Sequence, residues 1–259
     1  MDGSLMSWRP LALWSKALAA AIVVALVLGP YRDSGQYRLP GGFVREMRLA
    51  DNSRVQLAPH TTVAVSYASD ERRLEMSAGE ANFVVASNKS KPFIVHVGSL
   101  FVRAVGTQFS IHRVADHIAV TVTEGKVDVY RDNKDDDAST LSNSVIRVTA
   151  GHQFKASGAI QQGVLAPIDL RDALAWQEGR LRYVNEPLAV VVADVNRYVA
   201  RPIVIRDEKL KSLTYTGTVF TQLIDEWLDT IPKEFPLVVV TESDQTVLIS
   251  RTKDYRETL

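Results

Sequence analysis

The chain has 259 residues, and its 30 basic and 30 acidic side chains give a formal net charge of zero. A charge-balanced chain lacks the basic footprint of nucleic-acid-binding proteins, so we expect no nucleic-acid partner. The absence of cysteine excludes disulfide bonds and thiolate metal sites. An apolar content of 46% is enough for ordinary hydrophobic cores, and the length fits two average domains after an N-terminal segment.

Residues 11–28 form an apolar segment that is interrupted only by Trp14, Ser15 and Lys16. A helix of this length, at about 1.5 Å rise per residue, just crosses the hydrocarbon core of a bilayer. Arg9 and Lys16 lie at its N-terminal end, whereas the flank that follows is close to neutral. Because cationic flanks stay in the cytoplasm, the pattern predicts an inner-membrane helix with a cytoplasmic stub, residues 1–10, and with residues 31–259 in the periplasm.

Two alternatives to a membrane anchor remain open. A cleaved signal peptide would use residues 17–28 as its apolar region, although Gly29 and Pro30 make a poor cleavage site. A buried helix of a soluble domain is the other alternative.

Residues 40–154 show short runs of alternating apolar residues, separated by turn-forming residues such as Asp51-Asn52-Ser53 and Ala78-Gly79-Glu80. This pattern of short strands and turns predicts an all-β domain, either a sandwich or a β-coil. The acidic run Asp132–Asp137 predicts a solvated hairpin loop, because its spacing does not fit a calcium-binding loop.

The pattern changes toward the C-terminus, where apolar residues recur at helical spacing in two places. The first helix is predicted to begin near Pro187 and to stop at Arg201-Pro202, and the second has apolar residues from Phe220 to Ile231 and ends at Pro232. Strand-like runs surround them, so residues 176–251 are predicted to form a small α/β domain with the order β-α-β-β-α-β-β. Residues 155–175 are predicted to be the linker between the two domains.

Six ordered blocks spread over about a hundred residues resemble the FecR-type transmembrane regulators of extracytoplasmic-function sigma factors. These blocks are Leu49–Val55, Arg73-Leu74 with Gly79–Ala86, Lys91–Phe93, Ala104–Phe109, Val120–Gly125 and Ala150-Gly151. The C-terminal part is similar to the secretin/TonB short N-terminal domain of siderophore-linked members, through Trp176–Leu181, Asn185–Leu188, Asn196–Tyr198 and Tyr215–Thr218.

The resemblance implies a non-enzymatic relay for iron–siderophore transport. In such a relay, the signalling domain of an outer-membrane TonB-dependent transporter docks on the C-terminal half of the regulator. Envelope proteases then carry the signal across the membrane, where a sigma factor is controlled. No cofactor or metal is expected. These regulators usually carry a cytoplasmic sigma-binding domain that residues 1–10 are too short to form, so we expect either a start codon further upstream or a sensor-only variant.

Some members of this family cleave themselves at a Gly-Thr bond, which corresponds to Gly106-Thr107 here. The Thr hydroxyl would attack the preceding carbonyl, and glycine would minimise crowding there. The alternative is that Gly106 is a bulge or close-packing glycine and that Thr107 is an ordinary strand residue.

The other polar constellations predict no catalytic or metal site. His112 and His117 would point to opposite faces of one continuous strand. Asp225, Glu226 and Asp229 are predicted to lie on the solvated side of the second helix, while Trp176 and Trp227 are predicted to pack inside the small domain. Two rival functions remain: a periplasmic adaptor for a secretin or transporter assembly without transcriptional output, and an envelope enzyme acting on glycans.

Overall fold

The computed structural model describes residues 34–38, 44–131, 145–157 and 163–251. The chain divides into two compact units, residues 1–32 and 33–259, and all described residues belong to the second. The predicted cytoplasmic stub, the membrane segment at residues 11–28 and the acidic loop Asp132–Asp137 lie outside the described residues. Within the part that is described, no helix is long and apolar enough to cross a membrane.

Most of the described chain is β-strand. The first thirteen strands are β1 (Ser34–Arg38), β2 (Arg45–Arg48), β3 (Arg54–Leu57), β4 (Thr62–Tyr67), β5 (Arg72–Val84), β6 (Phe93–Val97), β7 (Leu100–Ala104), β8 (Gln108–Val114), β9 (His117–Glu124), β10 (Lys126–Arg131), β11 (Ile146–Thr149), β12 (His152–Ala156) and β13 (Val164–Pro167). We call these thirteen strands the β module. They confirm the mostly β-sheet character that the alternating pattern predicts.

The strands of the β module form two layers that share β5. One layer has the order β1-β4-β5-β6-β7-β10-β11, and the other has the order β2-β3-β5-β8-β9-β12-β13. The first half of β5 pairs with β4 and β6, and its second half, from Gly79 onward, pairs with β8. One strand of 13 residues therefore joins the two layers.

Gly79 explains how β5 passes from one layer to the other. Its φ is +93°, and a Cβ at this position would lie 2.6 Å from the Cα of Thr61. Only glycine combines this backbone conformation with so close an approach. The predicted turn at Ala78-Gly79-Glu80 is therefore wrong, because the glycine bends a continuous strand instead of ending it.

The hydrophobic core of the β module lies between the two layers. Phe83, Phe93 and Phe109 are fully buried there, and the rings of Phe83 and Phe109 stack with centroids 5.1 Å apart. The inward residues come from alternate positions of the strands, so the apolar alternation read from the sequence is what fills this core.

The C-terminal elements form a second hydrophobic cluster, and we call them the small module. They are a 3₁₀ turn (Ala175–Glu178), β14 (Arg180–Pro187), α2 (Leu188–Val195), β15 (Ile203–Ile205), α3 (Glu208–Lys211), β16 (Thr214–Phe220), α4 (Ile224–Glu234), β17 (Leu237–Thr241) and β18 (Thr246–Ser250); the short helix α1 (Leu170–Ala173) precedes them. β14 pairs with β16, and a second sheet has the order β15-β18-β17. The predicted element order is present, with α3 as an additional helical turn.

Four details of this region differ from the prediction. Helix α2 ends at Val195 and not at Arg201-Pro202, and Phe220 belongs to β16, where it is 48% exposed, and not to a helix. Helix α4 runs past Pro232 to Glu234. The stretch 155–175 is more than a linker, since β13 within it pairs with β12 and extends the sheet.

Candidate functional site

The blocks that carry the family resemblance meet around the Gly106-Thr107 bond. The backbone amide of Val85 donates to the carbonyl of Thr107 at 2.9 Å, and that of Asn88 donates to the carbonyl of Val105 at 2.9 Å. Residues 85–88 therefore pair with residues 105–107 on both sides of the bond, which connects β7 to β8.

Gly106 is required here for close packing. A Cβ at this position would lie 2.9 Å from the Cα of Ser87, which is closer than real Cβ contacts allow. Thr107 is only 7% exposed, and its hydroxyl has no hydrogen-bond partner among the described residues. The structure therefore gives Gly106 the packing role that we considered for it, and it places beside the bond a buried hydroxyl that lacks a hydrogen-bond partner in the described part of the chain.

A buried ion pair holds the loop that packs on this bond. Arg72 is 1% exposed and pairs with Asp51, and it also donates to the carbonyls of Ala86 and Lys91, each at 2.9 Å. Burial opposes ionisation of Asp51, but hydrogen bonds from Ser53, Arg72 and other neighbours outweigh it and hold its pKa below the usual range. Two of the resembling blocks, at residues 49–55 and 79–86, are thus tied together.

A second polar cluster lies between the β module and the small module, and we call it the junction. Asp194 of α2 is 2% exposed and lies 3.0 Å from Nε2 of His112 on β8. It also accepts a hydrogen bond from the Tyr183 hydroxyl at 2.8 Å and pairs with Arg197. Arg197 in turn reaches Glu80 of β5 at 3.2 Å. The junction therefore joins two strands of one module to one helix of the other.

The junction shifts the pKa values of its members. Burial alone would lower the pKa of His112, but the carboxylates of Asp194 and Glu80 outweigh burial and raise it. Burial also raises the pKa of Glu80, and the nearby cations offset this only in part. The pKa of Asp194 is held well below its usual range despite burial, because Arg197 and His112 both favour the carboxylate.

The junction is only partly satisfied. The Nε and Nη1 atoms of Arg197 are buried and find no hydrogen-bond partner among the described residues. Beside the junction lies a cleft of about 700 Å³, and both modules line it. On the side of the β module its wall carries small residues such as Ser110, Ala119 and Thr121, and the ion pair between Lys155 and Glu186 joins the two modules at its rim.

The small module presents two strands at the edges of its three-stranded sheet. The central strand is β18, which pairs with β15 on one side and with β17 on the other. Leu237–Val240 therefore lies at an edge, although its apolar composition alone is typical of a central strand.

The structure separates the other predicted site residues. His112 and His117 do not share a strand, since a tight turn at Ala115 divides β8 from β9, so the argument from one continuous strand does not apply to them. Both line the cleft, but no group of three or more potential metal ligands occurs among the described residues. Asp225, Glu226 and Asp229 are exposed on α4.

The two tryptophans lie inside the small module, as predicted. Trp176 is 3% exposed and Trp227 is 7% exposed, and both belong to the hydrophobic cluster of the module. The ring of Trp227 packs edge-on against Tyr215, with centroids 6.1 Å apart.

Sequence reasoning missed the junction. One signal was available, because Asp194 is the only charged residue in the apolar run Leu188–Val195. A carboxylate on an otherwise apolar helix is seldom buried without a partner. The partners themselves, His112 and Glu80, lie about a hundred residues away in the chain, and only the packing of the two modules identifies them.

Comparisons with known proteins agree with this architecture. Residues 36–128 match the family described as FecR protein. Two crystal structures of a candidate anti-sigma factor from Parabacteroides distasonis, at 2.50 Å and 1.65 Å resolution, share the fold with a TM-score of 0.73 and 23% identity. The two matches cover 85% and 84% of this chain and 100% of the matched chains. No protein of curated function matches the chain significantly. The resemblance to FecR-type regulators is confirmed, since residues 36–128 match the FecR family.

Proposed function

We propose that this chain is a non-enzymatic, inner-membrane regulator of an extracytoplasmic-function sigma factor. The observation that carries the proposal is the FecR domain at residues 36–128. The candidate anti-sigma factor from P. distasonis, which shares the fold over its whole length, supports the same class of function. The first test is genetic: deletion or overexpression of the gene should change transcription from promoters of one such sigma factor, and unchanged transcription in both strains would contradict the proposal.

The proposed topology places residues 1–10 in the cytoplasm, residues 11–28 in the membrane and the rest in the periplasm. Its support is the charge asymmetry around the apolar segment, with Arg9 and Lys16 at the N-terminal end. The native chain has no cysteine, so single cysteines can be introduced as reporters of location. A cysteine at the exposed position Asp229 should react with a membrane-impermeant maleimide in intact spheroplasts. Protection of this position until the cells are lysed would contradict the topology.

The proposed input is the periplasmic signalling domain of an outer-membrane TonB-dependent siderophore transporter, which would dock by adding a strand to β17. The amide of Glu242 donates to Gln245, and that of Arg251 donates to Pro236, each at 2.9 Å. Because hydrogen-bonded pairs alternate along antiparallel strands, the amides of Val239 and Thr241 point away from β18, toward the open edge. Such a row of backbone groups is what an added strand pairs with.

Thr241 offers a sharp test of this docking mode, because its side chain is exposed. Thr241→Pro removes an outward amide without removing a hydrogen bond to β18, and it should weaken binding of the purified signalling domain to the full-length chain in a titration. Thr241→Ala is the matched control, since it changes the same side chain but keeps the amide, and it should bind as the wild type does. Equal binding by both variants would reject β17 as the docking edge, and no binding by the wild type would reject the transporter relay.

The same titration separates the regulator from its rival. A chain that binds the signalling domain, but whose deletion leaves sigma-dependent transcription unchanged, would be a periplasmic adaptor. In the proposed regulator, envelope proteases carry the signal across the membrane by cutting the chain. The chain should therefore be shortened in cells when the transporter is loaded with substrate.

We further propose that Gly106-Thr107 is a site of single-turnover self-cleavage, because the buried Thr107 hydroxyl has no other hydrogen-bond partner among the described residues. The hydroxyl oxygen would attack the Gly106 carbonyl carbon, and the peptide C–N bond would break as the amine of Thr107 takes up a proton. The resulting ester would then be opened by water, which leaves a carboxylate on Gly106 and restores the hydroxyl of Thr107.

Mass spectrometry of the purified chain tests this reaction directly. The wild type and Thr107→Ser should yield a fragment that begins at residue 107, whereas Thr107→Ala should stay intact. Thr123→Ala is a suitable control, because Thr123 also lies near this bond but its hydroxyl already donates to the carbonyl of Gln108 at 3.0 Å. A fragment pattern that Thr107→Ala leaves unchanged would exclude self-cleavage at this bond.

A further inference from the structure

The junction is the principal buried charged contact between the β module and the small module. Three of its four ionisable partners are buried, since Asp194, Arg197 and Glu80 are 2%, 7% and 8% exposed, and His112 is half-buried against them. The β module contributes Glu80 and His112, and the small module contributes Asp194 and Arg197. Separation of the modules would break both cross-module pairs at once.

The charges at the junction balance only when it holds one titratable proton. Two carboxylates, Glu80 and Asp194, face one permanent cation, Arg197, so a neutral His112 leaves one buried negative charge without compensation. A proton on His112, or on Glu80, restores neutrality. Tyr183, which faces Asp194 from β14, donates a hydrogen bond but adds no charge. The other basic residues that line the cleft are paired with carboxylates: Lys155 with Glu186, Arg180 with Glu178 and Arg182 with Asp172.

We propose that the junction is a proton-dependent latch, which holds the two modules together while the His112–Glu80 pair carries a proton and releases them when this proton is lost. A buried uncompensated charge is far more costly than one in water, so separation of the modules becomes favourable after deprotonation. The inference needs neither the sigma factor nor the transporter, and it therefore stands independently of the proposed function.

The direction of the pH effect follows from the environment of His112. In the closed junction its pKa is raised above the ordinary value of 6.5, so the closed form is fully favoured below that pH. The advantage of the closed form is lost as the pH rises from 6.5 toward the raised pKa of the junction. Within that window the ratio of open to closed molecules should rise by up to about tenfold per pH unit.

The full-length chain can be tested in detergent with two spin labels, since it has no native cysteine. Arg103 on β7 and Asp229 on α4 are exposed, one in each module, and their replacement by cysteine leaves the junction untouched. Pulsed electron paramagnetic resonance should give one distance at pH 6 and an added, longer distance at pH 9. An identical distance distribution at both pH values would overturn the proposal.

Two variants with opposite expected effects separate a latch from a merely structural contact. Glu80→Gln removes the excess negative charge and keeps an acceptor for Arg197, so the modules should stay closed at pH 9. His112→Gln keeps a donor for Asp194 but cannot be protonated, so the open fraction at pH 7.5 should exceed that of the wild type severalfold. His117→Gln, on the neighbouring strand β9, should behave as the wild type.

Each departure from this pattern would count against the latch. Opening of Glu80→Gln at pH 9 to the same extent as the wild type would overturn it, and this arm does not depend on whether His112→Gln folds. Identical opening of His112→Gln and the wild type would overturn it as well. Loss of the pH response in His117→Gln would place the sensor elsewhere.

Discussion

Arg72 provides the most direct test of how the FecR-like domain is held together. It is the largest fully buried side chain of the described residues and is 1% exposed. Its guanidinium pairs with Asp51 and donates to the carbonyls of Ala86 and Lys91, next to the loop that packs on Gly106. Replacement by methionine keeps much of the apolar stem but removes the charge and these three hydrogen bonds.

The expected cost of Arg72→Met is about 3 kcal/mol. Removing one partner of a buried ion pair costs roughly 3 to 5 kcal/mol, because the other charge stays buried without compensation. The lower end applies here, since Asp51 keeps hydrogen bonds from Ser53 and Tyr67 and its side chain is 15% exposed. A double variant that also carries Asp51→Asn should recover about 1 kcal/mol or more relative to the sum of the single variants, because the stranded charge is gone.

Chemical denaturation of the purified full-length chain measures these free energies of unfolding. Arg73→Met is the matched control, because Arg73 is the next residue of the same strand but its side chain is 54% exposed and pairs only with Glu71. An exposed ion pair of this kind contributes less than about 1 kcal/mol. If Arg72→Met and Arg73→Met destabilise the chain equally, the assignment of Arg72 as the central tie of this domain is wrong.

Three further predictions concern the same domain and use the same denaturation assay. Gly79→Ala should cost more than about 2 kcal/mol, because φ is +93° and the new Cβ would collide with Thr61. Gly151→Ala is the control and should cost only about 1 kcal/mol, because its φ is +81° but the space around it is open. Equal losses of stability in the two variants would refute the collision. Phe109→Ala should cost about 3 to 5 kcal/mol from the fully buried core, far more than Phe101→Ala on the half-exposed face of the sheet. Stability should also fall as the pH drops below the ordinary Asp value of 3.8 toward the lowered pKa of Asp51. This acid sensitivity should weaken in Asp51→Asn, and an unchanged acid midpoint in that variant would contradict the depressed pKa.

The sequence predicts much of the fold because its patterns are local. Alternation along β4 and β10 reflects one buried face, and the helical spacing in α4 reflects one buried stripe. Sequence reasoning fails where a single residue is compatible with two local structures and the pattern indicates the wrong one. Gly79 is the clearest case: a glycine between two apolar runs is typical of a turn, but here the strand continues through it into the second layer.

The candidate site was harder to predict, because its contacts are distant along the chain. Gly106 and Thr107 were found through a motif, but the close approach of Ser87 that explains the glycine follows only from the pairing of residues 85–88 with 105–107. The edge position of β17 was also out of reach, since Leu237–Val240 is as apolar as a central strand and only the sheet order distinguishes the two. Pairing partners, and not composition, determine these features.

The chemistry of the junction fits a contact that opens and closes. A permanent interface between two modules is best made of apolar side chains, because a buried charged cluster adds little stability over well-packed hydrophobic residues of the same volume. Here the helix that faces the β module is apolar except for Asp194, and Arg197 keeps two buried nitrogen atoms without partners among the described residues. Both features make the closed state less stable than an apolar contact of this size would be. A change in pH or the binding of a partner can shift such a contact, because only an equilibrium whose two states lie within a few kcal/mol of each other responds to a signal.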